Sequence, residues 1–154
     1  MLMTKTTQIA SFRLAVALAL AWIAGCRGES RLTVNPVRGQ VVYNGRGVPN
    51  ATVIFHPLGD AAKKLQRMRP YAYADQNGRF ELKTYVTGDG APPGEYEVGI
   101  IATAGSDRDS GSDSQSDSPT LPRALMQKYA NQKTSGVKVT VQSGENVLAP
   151  FVLN

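Results

Sequence analysis

Cysteine is nearly absent from the chain. Its 154 residues hold one, Cys26, so no disulfide can form within it. Histidine is as scarce: His56 stands alone, which removes any site built on two imidazoles and leaves a Ser-His-Asp triad one residue to use. No G-x-S-x-G turn occurs. No catalytic residue, cofactor or metal set is therefore expected. The apolar run Leu14–Ile23 falls well short of the roughly 20 residues that span a bilayer as a helix. Nucleic acid is not an expected partner either. Lys and Arg total 17 against 12 acids, a net charge of +5, but they form no stripe along the sequence. The densest groups, Lys63-Lys64 and Arg67/Arg69, read as a solvated loop.

What is present begins with an asymmetric N-terminus. Lys5 and Arg13 precede the apolar run, and no acidic residue lies before Cys26. A positive segment, a short apolar stretch and small residues are the marks of an export signal. Ile23-Ala24-Gly25-Cys26 resembles the bacterial lipobox: an aliphatic residue, two small residues and a cysteine. The resemblance implies that the Cys26 thiol is lipidated, that the chain is cut before it, and that acyl chains, palmitate among them, hold the new N-terminus on a membrane. About two chains suffice for stable anchoring. The expected organisation is a signal peptide over 1–25, a lipidated tether over 26–36, and a folded domain over 37–154. Arg27 stands where some bacteria read Asp as an inner-membrane retention signal, which favours the outer membrane.

From residue 37 the sequence alternates. Val37, Val41 and Tyr43 share one parity, Arg38 and Gln40 the other. Val53 and Phe55 alternate with Thr52, Ile54 and His56; Phe80 and Leu82 with Glu81 and Lys83; Tyr96, Val98 and Ile100 with Glu95, Glu97 and Gly99. Val137, Val139 and Val141, then Phe151 and Leu153, repeat the period. Period two is that of strands buried on one face. Tyr71–Ala74 adds one more short strand. Asn44-Gly45 and Asp75-Gln76-Asn77-Gly78 read as tight hairpin turns, and Gly88–Gly94 as a loop. Gly39 suits a crowded strand. Short helical turns are expected near Ala61–Met68 and Leu121–Ala130. Residues 104–118, made of Gly, Ser, Asp, Arg and Gln after Ala104, are expected to be a disordered insertion. The sum is an all-β domain: a seven-stranded antiparallel Greek-key sandwich of transthyretin-like or immunoglobulin-like kind.

Several motifs occur in a recognisable order. Val37-x-Gly39-x-Val41-x-Tyr43-Asn44-Gly45 comes first, then Val48-Pro49-Asn50-Ala51-x-Val53-x-Phe55-x-Pro57. Ala74-Asp75-x-Asn77-Gly78-x-Phe80-x-Leu82 and Pro93-Gly94-x-Tyr96-x-Val98 follow. Together they resemble carboxypeptidase regulatory-like domains as found in small bacterial lipoproteins. That resemblance implies a transthyretin-like sandwich without catalytic activity, working in the cell envelope by binding a protein or glycan or by structural support. Some transthyretin-like proteins hydrolyse 5-hydroxyisourate, but those use further histidines and a Tyr-Arg-Gly-Ser ending, where this chain reads Phe151-Val152-Leu153-Asn154.

Three smaller groups complete the candidates. His56 is expected to be a surface histidine at a strand end. Asp75-x-Asn77-Gly78 partly resembles a calcium loop, but its glycine comes too early and a hairpin turn is the expectation. Asp107, Asp109, Asp113 and Asp117 could bind calcium weakly. Tyr71, Tyr73 and Tyr85 could form an aromatic surface for a sugar or peptide, against cross-strand packing as the ordinary role.

Overall fold

A computed structural model describes residues 31–102 and 121–154. The signal segment, Cys26 with its neighbours, the 104–118 insertion and its four aspartates lie outside the described residues. Nine strands and three short helices occupy the rest: β1 (Val37–Tyr43), β2 (Arg46–Gly47), β3 (Thr52–Pro57), α1 (Gly59–Leu65), β4 (Tyr71–Tyr73), β5 (Arg79–Glu81), β6 (Gly94–Ile101), α2 (Arg123–Ala130), α3 (Gln132–Ser135), β7 (Lys138–Val141), β8 (Asn146–Val147) and β9 (Phe151–Leu153). The fold is all-β and sandwich-like, with a five-stranded sheet and a four-stranded one.

The five-stranded sheet is built around β1. Along one edge β1 pairs antiparallel with β5 near its start and with β2 at its end. Along the other it pairs with β8 and then β9. Asn44 and Gly45 both take positive φ, 51° and 76°, and join β1 to β2 by the two-residue turn expected of Asn-Gly. The second sheet runs β4-β3-β6-β7 and is antiparallel throughout.

Two expectations need correction here. The sheet around β1 is mixed, because β8 and β9 run parallel to β1. Seven runs also become nine strands. The closing run expected over Val147–Leu153 is split: Leu148 still donates to the Arg38 carbonyl at 2.8 Å, but Pro150 has no N–H to continue the ladder. The second turn is a tight hairpin turn as expected, the Asp75 N–H donating to the Arg79 carbonyl at 2.8 Å, but the strands it joins belong to different sheets. Asp75–Gly78 carries the chain from β4, paired to β3, across to β5, paired to β1. Its geometry is still that of a tight turn. Gly78 sits at φ 73°, and a Cβ there would fall 2.3 Å from the Val41 carbonyl oxygen, so only glycine fits.

The alternation places side chains as the pattern requires. Val37, Val41, Val53, Phe55, Phe80, Leu82, Tyr96, Val98, Ile100, Val141, Phe151 and Leu153 are buried together between the sheets. Phe55 meets Tyr96 with ring centroids 5.6 Å apart, and Phe80 stacks on Phe151 at 5.7 Å. Each such side chain stabilises the fold by about 1.5–3 kcal/mol when fully removed from water. Tyr43, Val137 and Val139 are only partly buried against this core. The outer face of the β1 sheet is charged. Arg38 bridges Glu81 at 3.1 Å and Glu145 at 2.7 Å, two exposed pairs contributing about 0–1 kcal/mol each.

The helices lie against the β3–β6 sheet. Ala61 and Leu65 of α1 are buried, and so is Tyr129 of α2. The Tyr129 hydroxyl donates to the Asn154 side-chain oxygen at 3.1 Å and accepts from the Asn154 N–H at 3.2 Å, fastening the end of β9. The α3 turn was not legible in the sequence. Ser135 ends it, its hydroxyl donating to the Val98 carbonyl at 2.6 Å and so locking α3 onto β6.

Candidate functional site

Two concave surfaces stand out. The larger, about 680 Å³, runs beside β5 and is lined by Gln40, Tyr73, Asp75, Arg79, Lys83 and Leu148 among others. Tyr71 and Tyr73 are separated by one residue on β4, yet their rings meet edge to face, 5.6 Å apart at 82°. Tyr73 is 65% exposed. Lys83 places its ammonium 4.6 Å from the Tyr71 ring centroid, and the contact with Tyr71 raises the Lys83 pKa. An isolated bridge between Tyr71 and Lys83 brings these two segments together.

Of the three tyrosines expected to form one aromatic surface, two therefore share it. Tyr85 is used elsewhere, its hydroxyl accepting the Leu32 N–H at 3.0 Å. That bond holds the start of the folded chain to the loop after β5. The same loop depends on Asp89, which sequence reasoning passed over. One carboxylate accepts the N–H groups of Thr84, Tyr85 and Val86 at 2.7, 2.9 and 3.0 Å. The Thr84 hydroxyl donates to the Gly90 carbonyl at 2.6 Å and closes the loop. An Asp between two glycines, three to five residues after turning backbone, was the available signal.

The smaller groove, about 520 Å³, lies between the segment after α1 and the start of α3. His56 lies in it, on the solvent side of β3, directly opposite Glu97 of β6. Arg67, Arg69 and Lys133 line its walls. Burial lowers the His56 pKa, Arg69 lowers it further, and Glu97 acts against both. His56 is thus half-buried in a concavity rather than on open surface. Gly99 makes room for the far wall: a Cβ there would lie 3.3 Å from the Ala130 carbonyl oxygen and 3.5 Å from His56 Nε2. Gln66 ends α1 at φ 53° and ψ −104°, a strained conformation for a residue with a side chain.

The Asp75 carboxylate oxygen Oδ1 accepts from Asn77 and Arg79 N–H, each at 2.8 Å, so the turn uses that atom internally. Among the described residues, no three His, Cys, Asp or Glu side chains stand close enough to hold a metal ion. No helix among them is long and apolar enough to cross a membrane.

No family model, curated protein or solved structure matches the chain.

Proposed function

We propose that the chain is a bacterial cell-envelope lipoprotein, tethered by lipid on Cys26, with a non-catalytic β-sandwich used for binding or structural support. The finer architecture in this reading is a transthyretin-like, Greek-key sandwich of the carboxypeptidase regulatory-like kind. Its supports are the order of motifs from Val37 to Val98 and the Ile23-Ala24-Gly25-Cys26 lipobox behind a positive segment. Arg27 directs the choice toward the outer membrane. Partners in this reading are the membrane, through the lipid, and an envelope protein or glycan.

The observation that carries the binding role is exposed Tyr73, lining the β5 groove with its ring held against half-buried Tyr71. A sugar or peptide ligand needs an exposed ring to stack on and polar groups beside it to fix orientation. Tyr73 supplies the ring; Gln40, Asp75 and Arg79 supply the polar groups. This favours carbohydrate binding as the specific second reading.

The test is a glycan array of the unaltered chain together with envelope photo-crosslinking, using the full chain with a photoreactive side chain at position 87, where Thr87 lines the same groove and Tyr73 is kept. Capture of one glycan class or one envelope protein, reduced at least about tenfold by Arg79→Ala in the same chain, supports binding. Absence of both kinds of capture overturns it. Hydrolytic turnover abolished by His56→Ala would move the reading to a transthyretin-like hydrolase.

A further inference from the structure

The His56 groove has a charge arrangement that the fold does not use. Arg67 and Arg69 enter from the segment between α1 and β4, and Lys133 from α3 on the opposite wall. Three exposed cations thus border one concavity, with Glu97 as the acid lining it. Cations brought together in a fold ordinarily find carboxylates. The ion pairs of the described residues join Arg38 to Glu81 and Glu145, and Lys63 to Asp60. None engages Arg67, Arg69 or Lys133. Lys63 and Lys64, by contrast, lie on α1 and line none of this groove.

The walls are also held in place. Ser135 pins α3 to β6 through the Val98 carbonyl, and Asn131 caps α3 by accepting the Lys133 N–H at 3.0 Å. On the other wall, the Gln66 N–H donates to the Ala62 carbonyl and the Met68 N–H to the Leu65 carbonyl, turning the chain so that Arg67 and Arg69 face the groove. Two guanidinium forks, an ammonium and an imidazole N–H form a donor set for a tetrahedral oxyanion, with no acceptor among the cations to compete.

We propose that this groove binds a phosphate group, held by Arg67, Arg69 and Lys133 with His56 as an additional donor. The groove's volume of about 520 Å³ exceeds a bare phosphate and leaves room for the molecule that carries it. That carrier is either a soluble phosphomonoester or a phospholipid headgroup; the recognition chemistry is the same. This inference is independent of the Tyr73 surface and of lipidation at Cys26.

The only histidine is a built-in reporter, since its Hε1 resonance has no other imidazole to overlap. The full chain is placed in neutral maltoside micelles near pH 6.5, where its lowered pKa leaves His56 mainly neutral and able to gain a proton beside a bound anion. It is titrated with glycerol 3-phosphate in one arm and with phosphatidic acid doped into the micelles in the other. Chloride at matched ionic strength and phosphatidylcholine are the respective controls. A saturable His56 shift in either arm, absent from its control, supports the proposal, and the responding arm names the carrier. Arg69→Gln and Arg67→Gln each weaken that binding at least about fivefold, whereas Lys64→Gln changes it less than about twofold. Both arginines are exposed, and an unchanged circular dichroism spectrum checks the variants' fold. The proposal is overturned if both arms give only the shift seen in their controls. It is also overturned if the folded Arg67→Gln/Arg69→Gln double variant binds as tightly as the unaltered chain.

Discussion

Replacing Gly39 by alanine tests the packing that organises the whole β1 sheet. Gly39 lies opposite Phe80 in the β1–β5 register. A methyl group at Gly39 would sit 2.6 Å from Phe80 Cζ and 2.9 Å from Cε1. Carbon atoms prefer separations of about 3.5–4.0 Å, so the overlap is on the order of 1 Å. The ring cannot easily yield, since it is buried and stacked on Phe151. Gly39→Ala should therefore cost about 1–3 kcal/mol by overpacking. Phe80→Ala should cost about 3–5 kcal/mol by leaving a cavity. If the ring is the obstacle, the Gly39 methyl enters that cavity, and the double variant is no less stable than Phe80→Ala alone. The coupling is then about 1–3 kcal/mol. Urea unfolding measures it: with a slope of about 1–3 kcal/mol per molar, a 2 kcal/mol change moves the midpoint by about 0.7–2 M. Strictly additive effects of the two substitutions would refute the reasoning, because the methyl would then be clashing with something other than the ring.

Three further outcomes follow from single groups. Asp89→Ala strands three N–H groups and should destabilise by about 2–4 kcal/mol, with hydrogen exchange quickening first at Thr84, Tyr85 and Val86; unchanged exchange there would contradict the capping role. Burial pushes the Tyr96 phenol up to about 12, and its hydroxyl donates to the Pro92 carbonyl at 2.6 Å. The folded state keeps a proton that the unfolded chain releases near pH 10, so stability falls as pH rises from about 10 to about 12. Tyr96→Phe removes that part of the alkaline loss and costs about 1 kcal/mol at neutral pH; an ultraviolet titration in which every tyrosine ionises near pH 10 would exclude it. For His56 the sign is opposite. Its folded-state pKa is lowered, so its contribution is complete above the unfolded value of about 6.5 and is lost as pH falls through the folded pKa. Proton NMR should show Arg69→Gln moving that pKa upward, with burial still holding it down; no movement would remove Arg69 as a neighbour.

Faces were legible in the sequence, whereas partners were not. Period-two alternation placed Val53 and Phe55, Phe80 and Leu82, and Tyr96, Val98 and Ile100 inward, and all are buried. Alternation says which side of a strand is apolar but nothing about which strand lies beside it or in which direction. Hence β8 and β9 beside β1, running parallel, could not be read, nor could the passage of Asp75–Gly78 between sheets. Asn44-Gly45 was readable because its turn is local and needs both residues at positive φ. The grooves divide in the same way. Tyr71 and Tyr73 share a strand, and their proximity was visible; the third tyrosine was drawn away by Leu32, remote in sequence. The His56 groove joins four separated segments, so Arg67 and Arg69 looked like a solvated loop until α3 supplied the opposite wall.

The tether is the claim on which location and partners depend, and one labelling measurement reaches it directly. Bacteria expressing the full chain are grown with an alkyne-bearing palmitate, and the protein is isolated and conjugated to a fluorophore. The account predicts label on the unaltered protein, none on Cys26→Ala, and a mature N-terminus beginning at Cys26. An unlabelled natural chain, or equal label on Cys26→Ala, would contradict it.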